Sequence, residues 1–226
     1  MRAARAFHKK VRKHRKFAED GGAQQQRDRE TAEEQARLAA RTGDAYSKLL
    51  AEGARYGSKE DWRRAAKAFR EAIALKTDGP TAYINLGSAL RSSGHDVEAA
   101  QRFLEAKECS PVGSENWAVA TADAFSMLQQ NECADVATPE WWNDEGLKAM
   151  SARVVRVVPN HAAVTGMRAT VLSGMSDAWE VGPRSAAELE EAATHCERAA
   201  ALSLAPAGKA AFAGAADACR RVAAAM

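Results

Sequence analysis

Apolar residues recur at spacings of three and four along most of this chain, the period of a helix with one buried face. Tyr83, Leu86 and Leu90 form one such stripe, and Ala99, Phe103 and Ala106 the next. Leu147, Met150, Val154 and Val157 follow, then Val164, Met167, Val171 and Met175. Polar and turn residues separate the stripes. Gly57-Ser58-Lys59-Glu60-Asp61 and Gly94-His95-Asp96 read as turns inside helical hairpins, and Asn131 to Ala137 as a longer loop. Ser114 is placed to open one helix, and Thr138-Pro139-Glu140 another, with threonine as N-cap and proline in the first turn. Ser185-Ala186-Ala187-Glu188 has the form of a capping box. Pro111, Pro159 and Pro206 sit at near-equal intervals, where hairpins should end.

Composition sharpens the helical reading into an all-α one. Of 226 residues 46% are hydrophobic, but 52 are alanine against 13 valines and two isoleucines, and aromatics are only 6%. Alanine is the strongest helix former, whereas β-branched and aromatic residues build strands. Sheet-based folds are therefore disfavoured. No run of about 18 apolar residues is present, so no membrane-spanning helix is expected. The charged start of the chain is a poor secretory signal. Cys109, Cys133, Cys196 and Cys219 lack the paired spacing of a zinc site and are expected as reduced thiols.

A fixed offset then organises the stripes. Tyr83, Leu86, Gly87 and Leu90, followed by Ala99, Phe103, Ala106 and Pro111, give aromatic-x2-Leu-Gly-x2-Leu, Ala-x3-Phe-x2-Ala and a closing proline. One offset earlier, Gly53, Tyr56, Ala65, Phe69 and Ala72 occupy the matching positions, with Leu49 and Glu52 departing from the pattern. One offset later, Trp117 falls at the start of a third unit. This pattern resembles the tetratricopeptide repeat, a helix-turn-helix unit with a period of about 34 residues. The resemblance is good over 44–111 and loose over 112–206. It implies a right-handed α-solenoid with regular units at 44–77 and 78–111 and elongated hairpins at 112–160 and 161–206. A capping helix at 207–224 would show Ala211, Ala215, Cys219 and Val222 on one face. Residues 1–43 lie outside it, as a basic arm followed by a charged helix or linker.

In such an array the first helices line a concave face that holds an extended or helical peptide. The repeat assigns to that face Leu50, Ala54, Thr81, Ile84, Asn85, Ser88, Arg91, Ala118, Ala122 and Phe125, flanked by Ser47 and Glu115. Members that clamp the acidic tails of heat-shock chaperones use lysines, an arginine and asparagines there. Only Asn85 coincides; Leu50 and Ala54 replace a lysine and an asparagine, and Glu115 and Val119 fall on the basic pair. A carboxylate needs cationic partners, so chaperone tails are disfavoured and an uncharged ligand fits better. Ile84 and Phe125 could equally pack against neighbouring helices. Trp141, Trp142 and Trp179 sit in or beside the enlarged loops, as core seals or as interface residues.

The net charge of +2 hides an asymmetry. Residues 1–18 carry +8, including Lys9, Lys10, Arg12, Lys13, Arg15 and Lys16, and residues 19–226 sum to −6. The arm could bind nucleic acid, bind an anionic membrane, serve as a nuclear or organelle address, or remain a solvated tail. No phosphate-binding loop, nucleophile elbow or metalloprotease motif is present, and His8, His14, His95, His161 and His195 are placed in the arm, in turns or on exposed helix faces. The expectation is a non-catalytic adaptor or scaffold of the cytoplasm or nucleus, without cofactor or small-molecule substrate. The alternative is a helical-repeat protein that binds nucleic acid or anionic membrane through the arm.

Overall fold

The computed structural model describes residues 29–31, 33, 34, 37 and 45–226. The basic arm and most of the charged helix or linker after it lie outside the described residues. From Ala45 on, nine α-helices run in order: α1 (Ala45–Gly57), α2 (Trp62–Leu75), α3 (Pro80–Ser92), α4 (Asp96–Cys109), α5 (Glu115–Leu128), α6 (Asp144–Val157), α7 (Ala162–Ser173), α8 (Ala186–Leu202) and α9 (Pro206–Ala224). A short 3-10 helix, Asn131–Cys133, follows α5. No strand occurs among the described residues, and no helix among them is long and apolar enough to cross a membrane.

Local chemistry sets most boundaries. Asp61 accepts the Arg64 N–H at 3.2 Å to cap α2, and Ser114 accepts the Trp117 N–H at 3.2 Å to cap α5. The capping box of α8 is complete: the Glu188 N–H donates to Ser185 Oγ, and the Ser185 N–H donates to Glu188 Oε2 at 2.8 Å. Pro206 occupies the first turn of α9.

Each helix packs on the next from α1 through α5. In the first two hairpins a phenyl ring seats on a glycine of the facing helix. A Cβ on Gly53 would overlap the Phe69 ring, and one on Gly87 would come within 2.8 Å of the Phe103 ring. Phe69 and Phe103 are buried among Ala65, Ala99, Leu86 and Leu90. The small residues that recur once per unit are thus sites of closest helix approach.

The third hairpin loses this lock. Thr121 takes the place that Gly87 holds one unit earlier, and its hydroxyl donates to the Trp117 carbonyl at 2.6 Å. Ala137 stands where the phenylalanine would be. With no ring to seat, residues 129–143 leave the helical path. Cys133 and Val136 fold onto the core of the first two hairpins, and α5 packs against both α6 and α7.

Two expectations are corrected. Thr138-Pro139 does not open α6; the helix begins at Asp144, where Asn143 Oδ1 accepts the Gly146 N–H at 2.9 Å. The Pro139 carbonyl accepts the Trp142 N–H in a turn that folds Trp141 back over Gly146, where a Cβ would meet the Trp141 carbonyl at 2.6 Å. The buried face of α9 is also rotated. Ala211 and Val222 are exposed, while Phe212, Ala215, Ala216, Cys219 and Ala223 pack on α8 and α7. Phe212 decides this by size: its ring lies against Gly166 of α7, where a Cβ would come within 2.9 Å. In an alanine-rich helix the one large side chain sets the face.

Candidate functional site

The residues assigned to a concave face divide into two groups. Ala54 on α1 and Asn85 and Ser88 on α3 line one cavity of about 250 Å³, together with Trp62, Ala65 and Phe69. Its floor is apolar, and its polar side chains carry no charge: the Asn85 amide and the hydroxyls of Thr31, Ser58, Ser88 and Ser92. Leu50 and Ile84 are half-buried beside it against the core, and Thr81 is exposed. Ser47 is half-buried and Glu115 exposed.

Arg91 points across the hairpins. Its guanidinium donates to Asp123 Oδ1 at 3.2 Å and lies 5.6 Å from the centroid of the Phe103 ring. Burial raises the Asp123 carboxyl above the usual carboxylate range, and Arg91 and His161 oppose that rise. The one cation of the assigned face is therefore engaged by the protein's own acid.

Ala118, Ala122 and Phe125 are buried, at 0%, 1% and 2% exposure, and form no open groove. They pack with Leu147, Val154, Val164, Met167 and Val171 from α6 and α7. Trp142 and Trp179 close over Phe125, with ring centroids 5.6 and 5.8 Å away. These tryptophans come from the two elongated loops and meet each other at 6.0 Å with their planes at 74°. Trp179 is 8% exposed, and the Trp142 indole N–H donates to the Ala178 carbonyl at 3.1 Å. They seal the face of α5 that the repeat register alone leaves open.

A charged clamp holds the seal in place. Arg184 donates to both carboxylate oxygens of Asp144, at 2.6 and 2.9 Å, and to the Val171 carbonyl at 2.9 Å. The Trp179 indole N–H donates to Asp144 Oδ1 at 3.3 Å. These hydrogen bonds, led by those from Arg184, hold the Asp144 carboxyl below its ordinary value against burial. Lys148 bridges Asp144 at 3.6 Å and Glu188 at 2.6 Å. Hydrogen bonds from Lys148 and the Ser185 N–H bring the Glu188 carboxyl down to about 2. Nothing local in the sequence signals this clamp, because Asp144 and Arg184 lie 40 positions apart.

His195 is not on an exposed face: its side chain is 15% exposed, within 3.7 Å of Glu191, and burial lowers its pKa. Cys133, Cys196 and Cys219 are buried free thiols, and Cys196 and Cys219 share the α8–α9 core. No group of three or more His, Cys, Asp or Glu placed to hold a metal ion occurs among the described residues. The six basic positions Lys9, Lys10, Arg12, Lys13, Arg15 and Lys16 lie outside the described residues. No protein-family model matches the chain, and no curated protein matches it.

Proposed function

We propose that the chain is a non-catalytic adaptor of tetratricopeptide type, a right-handed solenoid that takes a peptide on the face of α1 and α3. The carrying observation is the cavity of about 250 Å³ that gathers Ala54, Asn85 and Ser88 over an apolar floor. Asparagine and serine can hydrogen-bond the backbone of a bound segment, and the floor takes a small apolar side chain. Arg91 is engaged by Asp123, so the ligand is an uncharged segment and not an acidic tail. The groove spans two hairpins, since the α5 face is sealed by Trp142 and Trp179.

Selection of a random peptide library on the full-length chain tests this reading. Enrichment of uncharged sequences whose binding is lost in Ile84→Arg/Ser88→Arg, with the far-ultraviolet circular dichroism unchanged, supports it. No enrichment, or binding that survives the double substitution, overturns it. A second reading rests on the +8 charge of residues 1–18, which suits nucleic acid or anionic lipid. Binding of that kind weakens steeply as salt rises and disappears when residues 1–18 are removed.

A further inference from the structure

The tryptophan seal has an outer side. Between residues 142–148 and 179–183 lies a cleft of about 700 Å³, walled by Trp142 and Trp179 and rimmed by Glu145 and Glu180. Two of the charges that line it are already matched: Asp144 by Arg184 and Lys148, and Lys148 by Asp144 and Glu188. Those on the rim are not. Among the described residues Glu145 and Glu180 make no ion pair, and both are exposed. Glu140 and Asp177, on the same two loops, are exposed or half-exposed as well.

Negative charge is concentrated here. Residues 129–148 and 174–185 hold seven acids against Lys148 and Arg184, a net −5. The rest of 45–226 sums to +2. Most of that charge lies on residues 129–148, at net −4, with −1 on residues 174–185; α8 carries a further −3 beyond the loops. The +8 segment of residues 1–18 is the complementary charge in the same chain.

We propose that the cleft between the elongated loops docks the chain's own basic segment, residues 1–18, with lysine and arginine heads on Glu145 and Glu180 and their stems against Trp142 and Trp179. Indole faces attract cations, and long basic side chains lay their methylenes on apolar surface while the charge stays outside. Residues 19–44 join the basic segment to α1; residues 29–31, 33, 34 and 37 among them are helical, with Thr31 at the α1–α3 cavity, and residues 19–28 ahead of them span up to roughly 35 Å when extended. A tethered ligand acts at an effective concentration of the order of millimolar, so an external polybasic ligand must compete with it. This docking is independent of the α1–α3 groove and stands or falls without it.

Zero-length carbodiimide cross-linking of the full-length chain tests it, because the reagent joins a lysine amine to a carboxylate in direct contact. Mass mapping is expected to show intramolecular links from Lys9, Lys10, Lys13 or Lys16 to Glu145 or Glu180. Their yield is expected to fall about tenfold when salt is raised from about 50 mM to about 500 mM, since exposed ion pairs are screened. Glu145→Gln/Glu180→Gln, at exposed positions that leave the fold intact by circular dichroism, should remove the links. Arm links spread evenly over exposed acids such as Glu115 and Glu190, links insensitive to salt, or links found only in covalent dimers would each overturn the proposal.

Discussion

Substituting alanine for glycine at Gly87 and at Gly214 should move stability in opposite directions. Both residues are inside helices, α3 and α9. Alanine is favoured over glycine in a helix interior by about 0.5–1 kcal/mol. At Gly214 nothing lies within 4 Å of the added Cβ, so that gain should appear in full. At Gly87 the Cβ would sit 2.8 Å from Phe103 Cε1 and 3.0 Å from Cδ1 and Cζ, against a ring that is 0% exposed. Ordinary carbon contacts are about 3.5–4.0 Å. Relieving the overlap needs about 1 Å of movement, and overpacking of that kind costs about 1–3 kcal/mol. The net expectation is about 0–2.5 kcal/mol of destabilisation for Gly87→Ala, and about 0.5–1 kcal/mol of stabilisation for Gly214→Ala. Urea unfolding followed by circular dichroism reads both as midpoint shifts at constant slope. Phe103→Leu in the Gly87→Ala background should recover part of the loss by removing the ring edge. A Gly87→Ala as stabilising as Gly214→Ala would refute the phenyl-on-glycine lock on which the hairpin packing rests.

Three further outcomes follow from the charged and aromatic contacts. The Glu188 carboxyl is held at about 2 in the folded chain, below the usual value of about 4.3 for a free glutamate; its contribution is fully present above that usual value and is lost as pH falls towards 2. Thermal melts of Glu188→Gln and the unsubstituted chain should accordingly differ at pH 6 and converge near pH 2, and a difference independent of pH would contradict the assignment. Arg91→Ala leaves the buried Asp123 carboxylate without its cation and should cost about 1–3 kcal/mol at neutral pH. Because burial already raises Asp123, that penalty should shrink as acid protonates it, and Asp123→Asn in the Arg91→Ala background should restore much of the stability in urea melts. Trp179→Ala removes a buried ring against Phe125 and should cost about 3–5 kcal/mol; a cost below about 1 kcal/mol, near that of a surface substitution, would place Trp179 outside the core.

What can be read from the chain follows the range of the interactions. Ser114, Ser185, Glu188 and Pro206 act within a turn of their own position, so their roles as caps and stops are visible locally. The pairs Gly53–Phe69 and Gly87–Phe103 each join two helices, but they recur at a constant offset, and the recurrence exposes them. Phe125 shows where such reasoning stops. Its place in the register is that of a groove residue, yet its surroundings are set by Trp142 and Trp179, brought in by loops that no repeat constrains. Asp144 and Arg184 meet for the same reason, through the path of two irregular segments. Asn143 is hidden as the cap of α6 because Thr138-Pro139 offers a stronger local signal; the need to seat two adjacent indoles outweighs it. On α9 alanines occur on every side, so the stripe has no local orientation, and the contact of Phe212 with Gly166 supplies it.

The central claim is that the face of α1 and α3 is open while the corresponding face of α5 is shut by the tryptophan loops. Cysteine accessibility measures this directly. Ser88→Cys and Ala122→Cys, each in the full-length chain, are treated with a maleimide, and labelling at each position is followed by peptide mass mapping beside the native thiols. Ser88→Cys should label at the rate of a solvent-facing thiol, and Ala122→Cys should label only as fast as the protein opens. Equal rates at the two positions would contradict the account.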